Sequence, residues 1–243
     1  MKDYLLDVIT HTNSLDGVDL IKITGTDKLT QVNAIADSKN VIISGSFKNP
    51  IADFIGTFGM PNLNKLKTIL SFDEYDDKSK IDVVKSNRNG EDVPSTIHFE
   101  TANGDFINDY RLMSKELVEE KVKSVAFKGA TFQIEFEPTI AGIQRLKKQA
   151  SANSEEEVFT IKTDNGDVKI HFGDPSTHSG NFVFQSGVTG TLNRAWMFPV
   201  KAFLGIMDMV GDKTIRVSDQ GVAEITVDSE ISNYKYYLPA QQK

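Results

Sequence analysis

The stretch Asn-Val-Ile-Ile-Ser-Gly-Ser at residues 40–46 has a counterpart about 140 residues later, where residues 181–187 read Asn-Phe-Val-Phe-Gln-Ser-Gly. A second pair of similar stretches, residues 20–24 and 160–164, precedes the first pair in the same order. All four stretches are short and bounded by Gly, Asn or Asp, and they carry β-branched or aromatic residues, which is typical of β-strands. The pattern indicates an internal duplication.

Two pairs of predicted helices repeat in the same order. Apolar side chains at helical spacing predict helices at residues 3–13 and 139–152, and a second pair follows Pro61 and Pro199. The apolar positions are Leu5, Val8, Ile9 and Thr12; Ile140, Ile143, Leu146 and Ala150; Leu63, Leu66, Ile69 and Leu70; and Val200, Phe203, Ile206 and Met207. The last two sets match at a constant offset of 137 residues, so the repeat includes helices as well as strands.

Each half then ends in a pair of predicted strands. These strands lie at residues 97–100 and 108–113 in the first half and at 225–228 and 233–238 in the second. We therefore predict two tandem copies of one α+β domain, at residues 1–113 and 129–243, joined by a connector at residues 114–128. The first copy lacks an equivalent of the strand predicted at 131–137 and begins directly with its helix.

The composition is that of a globular protein without cysteine chemistry. The chain has 243 residues, of which 39% are hydrophobic and 25% charged, and none is Cys. Disulfides, thiolate metal sites and thiol nucleophiles are therefore excluded, which fits a reducing cytoplasm. We find neither a secretory signal nor the ~20 consecutive apolar residues that span a bilayer. The sequence predicts a cytoplasmic protein without a membrane segment.

Positive and negative charges are segregated along the chain, although its net charge is −7. Residues 138–153 contain no acidic residue, and neither do residues 61–71. Acidic residues are concentrated at 73–77, at 155–157 and between 116 and 120. An acidic protein with a few basic helices would admit DNA beside those helices and repel it elsewhere.

Two helices depart from this segregation. Asp7 lies opposite the apolar stripe of the first helix, with Asp3 near the same side, and Asp208 offsets Lys201 in the last helix. A lysine-rich helix face is also the ordinary composition of a solvated surface. Charge alone therefore leaves both interpretations open.

The sequence offers little support for an enzyme. None of the four His residues has the i, i+4 spacing of a zinc pair, and there is neither a phosphate-binding Gly-x-x-x-x-Gly-Lys run nor a Gly-x-Ser-x-Gly elbow. The acidic residues 73–77 lack the ligand spacing of a known Ca²⁺ or Mg²⁺ loop. We predict no catalytic residue, metal or cofactor. A hydrolase with an unrecognised site would instead lose turnover when His171 or His178 is changed.

The C-terminal run Lys-Tyr-Tyr-Leu-Pro-Ala at residues 235–240 resembles the close of sliding clamps of the proliferating-cell-nuclear-antigen type. Residues 198–206 are also similar to a helix segment of that family. A first domain that opens directly on a helix looks more like the clamps of T4-type bacteriophages. The resemblance covers nearly the whole chain in order and length.

This resemblance implies a fold and a function. It implies tandem DNA-clamp domains, with helices lining the hole of a toroid and antiparallel sheets outside, and three subunits joined head to tail. The implied function is that of a processivity factor in DNA replication, which encircles double-stranded DNA without sequence preference and tethers the replicative DNA polymerase. An ATP-driven clamp loader would open the ring. The implied location is the cytoplasm, which is the host cytoplasm if the protein is viral.

Two sets of residues carry these roles in our prediction. Sequence-independent phosphate contacts are assigned to Arg145, Lys147, Lys148, Lys65, Lys67 and Lys201. The resemblance implies a groove for a partner's hydrophobic peptide at Tyr237, Leu238, Pro239 and Ala240, although Tyr237 and Leu238 also fit an ordinary core strand. The alternative function is a two-domain scaffold protein that forms no ring and ignores DNA.

Overall fold

The computed structural model describes residues 1–15, 17–88, 90–122 and 129–241, which form two compact units. Unit 1 comprises Met1–Asp37, Ile43–Val125 and Ser229–Tyr234, and unit 2 comprises Ser38–Ile42, Ala126–Asp228 and Lys235–Lys243. The predicted α+β fold with two tandem domains is confirmed. The domain limits at residues 113 and 129 stay predictions, and residues 123–128 of the connector lie outside the described residues.

Unit 1 contains two sheets and a pair of helices, α1 and α2, that pack together. The strand order is β4-β1-β2-β3 in one sheet and β5-β6-β7 in the other. The elements are α1 (Lys2–Thr12), β1 (Leu20–Gly25), β2 (Thr30–Ile35), β3 (Ile42–Phe47), a short 3-10 helix (Ala52–Phe54), β4 (Gly56–Pro61), α2 (Leu63–Leu70), β5 (Lys80–Arg88), β6 (Glu91–Glu100), β7 (Ile107–Arg111) and α3 (Lys115–Lys121).

Residues from the far end of the chain complete unit 1. The segment Ser229–Tyr234 lies beside β3, where the amide of Lys48 donates a hydrogen bond to the carbonyl oxygen of Ile231 at 2.9 Å. A side chain at Gly45 would collide with the ring of Tyr234. Strand β3 is therefore not an open edge in unit 1.

Unit 2 repeats this order of elements and adds one strand at the start. Its sheets have the orders β11-β10-β9-β12 and β15-β14-β13-β8. The elements are β8 (Ile134–Phe136), α4 (Ile140–Ala152), β9 (Val158–Asp164), β10 (Asp167–Gly173), β11 (Ser179–Gln185), β12 (Trp196–Pro199), α5 (Val200–Met207), β13 (Asp212–Ser218), β14 (Val222–Asp228) and β15 (Ser232–Pro239). The added strand β8 pairs with β13.

Apolar periodicity accounts for how the helices pack. On α2, Leu63, Leu66, Ile69 and Leu70 are buried as predicted. On α4 the prediction was partly wrong, because Ile140 is 77% exposed at the first turn and the buried face is Gly142, Leu146 and Ala150. A Cβ at Gly142 would overlap the carbonyl oxygen of Phe184, so α4 lies directly on the backbone of β11.

The connector contains structure that the sequence analysis did not assign. Helix α3 begins directly after Ser114 and buries Val118 against unit 1. Strands β2, β4, β5, β10, β12 and β13 were also not predicted individually, although they fit between predicted elements. Within the described ranges, every helix is too short or too polar to cross a bilayer.

Candidate nucleic-acid interface and partner groove

In each unit the two long helices pack side by side and expose their polar faces. In unit 1 these helices are α1 and α2, and in unit 2 they are α4 and α5. Helix α2 buries its leucines and exposes Lys65 and Lys67, as predicted. No ion pair engages either lysine in the part of the chain that the structure describes. Both amino groups are therefore available to phosphates.

The predicted cations of α4 differ in their contacts. Lys147 forms an ion pair with Asp208, the residue that ends α5. Arg145 donates a hydrogen bond from Nη1 to the carbonyl oxygen of Val183 on β11 at 3.2 Å. Lys148 is exposed and has no such partner among residues 129–241. Lys148 is therefore the α4 cation with the most freedom to meet an anion.

Lys201 is exposed in the first turn of α5. The sequence analysis took the charge of Asp208 to offset that of Lys201, and the structure pairs Asp208 with Lys147. Lys147 and Lys201 both line a cleft of about 610 Å³ in unit 2, whose other walls include Glu155 and Glu157. This cleft is mixed in charge, so it does not form a continuous basic surface.

The sequence analysis placed Asp7 on the solvent side of α1, and this was wrong. Its side chain is only 8% exposed. The carboxylate accepts hydrogen bonds from Ser229 Oγ at 2.8 Å, from Tyr234 OH at 2.9 Å and from Ser232 Oγ. The ring of His11 stacks on Tyr234 with centroids 4.6 Å apart. Asp7 is therefore a buried acceptor, and Asp3 is the acidic residue that α1 exposes.

The predicted partner groove contains both buried and accessible residues. Tyr237 is half-buried and Pro239 is exposed, whereas Leu238 is fully buried in the core of unit 2. Burial and the neighbouring Glu224 carboxylate raise the pKa of Tyr237 to about 12, so its hydroxyl stays protonated. Ala240 donates from its amide to the carbonyl oxygen of Gly221 at 2.8 Å. The groove assignment stays a prediction.

A feature of unit 2 that the sequence analysis missed lies beside Ala240. The guanidinium of Arg194 stacks 3.7 Å from the ring centroid of Trp196, and the indole Nε1 donates to Asp219 at 3.2 Å. Arg194 and Trp196 line a pocket of about 450 Å³ that Ala240 also lines. The single Trp of the chain was the available signal, but its partner Asp219 is distant in sequence.

No metal centre is found among the side chains described. No group of three or more His, Asp or Glu residues in the described ranges could hold a metal ion.

Comparison with solved structures supplies the fold. No protein-family model matches the sequence, and no curated protein matches it. The structure titled "C-terminal region of FEN-1 bound to A. fulgidus PCNA" matches with a TM-score of 0.72 and 13% identity, covering 100% of this chain and 96% of that chain. The chain has the PCNA fold.

Two further PCNA structures support this conclusion. Proliferating cellular nuclear antigen from Entamoeba histolytica matches with a TM-score of 0.66 and 16% identity, covering 99% of this chain and 94% of that chain. PCNA from Thermococcus kodakaraensis matches with a TM-score of 0.69 and 9% identity, covering 99% and 97%. At these identities the likeness establishes the clamp fold, and the expected similarity to T4-type clamps stays a prediction.

Proposed function

We propose that this chain is a subunit of a DNA sliding clamp, a ring that encircles duplex DNA and tethers the replicative polymerase without catalysing a reaction. The observation that carries the proposal is the clamp fold over the full chain, combined with exposed lysines on the paired helices. A clamp needs only weak phosphate contacts, because topological closure provides retention. Base-specific contacts would each discriminate by ~1–3 kcal/mol and hinder sliding.

The distribution of charged contacts supports DNA on the helix side. Lys65, Lys67, Lys148 and Lys201 are exposed without ion-pair partners in the described ranges. Of the acidic residues that argued against this surface, Asp7 is buried, Asp208 pairs with Lys147, and Asp3 is exposed on α1. The burial of Asp7 makes the surface less acidic than the sequence indicated.

Two open strand edges support assembly into a ring. Strand β7 ends a sheet of unit 1, and β11 ends a sheet of unit 2. A β11–β7 junction between copies would join them head to tail and would remove both open edges. Three copies, the number implied by the family resemblance, would close the ring.

Partners follow from the same proposal. The FEN-1 structure shows that a PCNA binds a C-terminal region of another protein. We assign an equivalent peptide site here to Tyr237, Leu238, Pro239 and Ala240, with the polymerase and an ATP-driven clamp loader as its users. Leu238 would contribute by holding β15 in place, since it is fully buried. The expected location is the cytoplasm, or the host cytoplasm if the protein belongs to a T4-like phage.

The deciding experiment combines mass and topology. Light scattering is expected to give about 81 kDa, three times the chain mass of 27.0 kDa. The protein, loaded on nicked circular DNA, is expected to remain through gel filtration and to leave once the circle is linearised. A monomeric mass, or equal retention on circular and linear DNA, would reject the clamp in favour of a scaffold protein.

A further inference from the structure

The two units differ at one sheet edge, and the difference leaves a strand unpaired. In unit 2, β8 pairs with β13, with Ile134 opposite Val217 and Phe136 opposite Ile215. In unit 1 the equivalent of β13 is β5, which ends the β5-β6-β7 sheet of the described residues. Among the described residues, no backbone hydrogen bond joins the open side of β5 to another segment.

The other sheet edges are short, capped or used in the proposed ring. Isolated bridges cap β4 through Gly59 and Met113, and β12 through Met197 and Gln241. Strand β8 is only 3 residues long, and β7 and β11 are assigned to the junction between copies. Strand β5 has 9 residues, so it presents the longest uncovered row of backbone donors and acceptors in the described structure.

The side chains of β5 retain the exposure that a missing strand would cover. Ile81 and Val83 point inward opposite Phe99 and Ile97, yet both are only half-buried. The counterpart of Val83 on β13 is Ile215, which faces Ile225 as Val83 faces Ile97, and Ile215 is fully buried. The pairing register with β6 is uninterrupted from Lys80 to Val84, and the bulge after Val84 limits pairing beyond that point.

We propose that Lys80–Val84 is a docking site at which an extended segment of a partner protein adds as the fourth, antiparallel strand. Strand addition supplies main-chain hydrogen bonds, while alternate side chains supply specificity. The inward side chains of the partner segment are apolar and pack beside Ile81 and Val83. Its outward side chains meet Lys80 and Asp82, which are 61% and 52% exposed.

The charges of Lys80 and Asp82 determine which charged residues the partner segment carries. An acidic residue opposite Lys80 and a basic residue opposite Asp82 both form attractive cross-strand pairs. The facing surface also carries Glu100 next to Lys80 and His98 next to Asp82 in the register. The fitting segment therefore reads apolar, basic, apolar, acidic from its amino end. This site is independent of DNA encirclement, so it can fail or hold whatever the fate of the clamp proposal.

The test uses two peptides of identical composition and the full chain. The matched peptide is Thr-Val-Ile-Lys-Ile-Glu-Thr, and the control exchanges its Lys and Glu. Hydrogen–deuterium exchange is expected to slow at Lys80–Val84 with the matched peptide. Fluorescence anisotropy is expected to show about fivefold tighter binding than for the control, because two cross-strand pairs change sign.

A charge-swapped protein makes the test reciprocal. The double variant Lys80→Asp with Asp82→Lys keeps the ion pair between these positions, which is 3.1 Å long in the native chain, and is expected to reverse the peptide preference. Equal binding of both peptides, an unchanged preference in the variant, or protection confined to another strand would overturn the proposal. A dimer that forms through β5 in the peptide-free chain would also overturn it, since the occupant would then be a second copy.

Discussion

Asp7 in α1 and Asp208 at the end of α5 are both acidic residues of paired helices, but their contacts differ. Asp7 on α1 is buried and accepts hydrogen bonds from three hydroxyls, whereas Asp208 at the end of α5 is 55% exposed and pairs with Lys147. Burial removes the first charge from the surface, and pairing only offsets the second. The comparison shows that a carboxylate's effect on the charge of the proposed DNA-facing surface depends on its contacts more than on its position in a helix.

The largest expected effect is on stability. Asp7→Ala leaves the hydroxyls of Ser229, Ser232 and Tyr234 without their shared acceptor, which is expected to lower the free energy of unfolding by about 3 kcal/mol. The matched change Asp208→Ala removes only an exposed ion pair and is expected to cost less than about 1 kcal/mol. Urea unfolding measures both. Equal losses of unfolding free energy in the two variants would contradict the stabilising role of the hydrogen bonds to Asp7.

The second prediction concerns DNA binding, for which a change at Asp208 is expected to have a larger effect than a change at Asp7. Asp208→Asn frees Lys147 and is expected to steepen the salt dependence of binding to a short linear duplex by about one unit of log K per log salt. Asp7→Asn is expected to leave that slope unchanged, because its carboxylate faces hydroxyls and not solvent. A steeper slope for Asp7→Asn would mean that the Asp7 carboxylate faces the DNA, which would contradict its buried position in the structure.

The lysines of α4 sharpen this comparison. Lys148→Ala is expected to flatten the same slope by about 0.9, since each phosphate neutralised releases roughly that many counterions. Lys147→Ala is expected to change it less, because Asp208 already holds that amino group. Filter binding across a salt series distinguishes the two variants. Equal slopes would mean that DNA displaces Asp208 from Lys147.

A smaller effect is expected within the Asp7 network itself. Tyr234→Phe removes one of the three hydroxyl donors and keeps the ring that stacks on His11. The expected loss is about 1 kcal/mol in the free energy of unfolding, the usual net value of one hydrogen bond. Urea unfolding of the variant beside Tyr4→Phe, whose ring lies against Phe47, provides the matched control.

The smallest effects concern two histidines on different sheets. A hydrogen bond to Asp109 and one to Glu100 raise the pKa of His98 above 6.5, so its stabilising contribution is present below pH 6.5 and is lost as pH rises through the folded pKa. Burial, with Lys162 and Lys169 nearby, lowers the pKa of His171, so stability falls as pH drops below 6.5.

The two histidines can be separated by substitution. The stability advantage of the native chain over His98→Gln is expected to shrink as pH rises above 6.5, whereas His171→Gln is expected to reduce the loss of stability at acid pH. Unfolding free energies measured in urea from pH 5 to pH 9 test both. Parallel pH profiles for the two variants would contradict the opposite environments that the structure gives them.

Much of the fold could be predicted because the pattern is repeated. Apolar spacing located all four long helices to within a few residues, and the repeated order of strands gave the two-domain α+β fold. Ile140 was misplaced because periodicity assigns a face to every apolar residue, even one that is exposed in the first turn of the helix. Helix α3 was missed because a single buried residue, Val118, gives no periodic signal.

The site was less predictable, because its decisive contacts join distant parts of the sequence. Asp7 meets residues more than 220 positions away, and no local pattern records that the serines and the tyrosine will be there. The pairing of Lys147 with Asp208 likewise depends on how α4 packs against α5. Residue type and helix face identified the candidate cations, and only the tertiary structure separated the engaged ones from the available ones.

Gly142 allows the basic helix α4 to lie close to the backbone of β11. A Cβ at this position would lie 2.4 Å from the carbonyl oxygen of Phe184 on β11. The close approach of α4 to the sheet therefore requires glycine here. Any larger side chain would act as a wedge under the first turn and tilt the remaining turns, carrying Arg145 and Lys148 away from their present positions together. The position of the charged residues on α4 therefore depends on Gly142, which is itself uncharged and has no side chain.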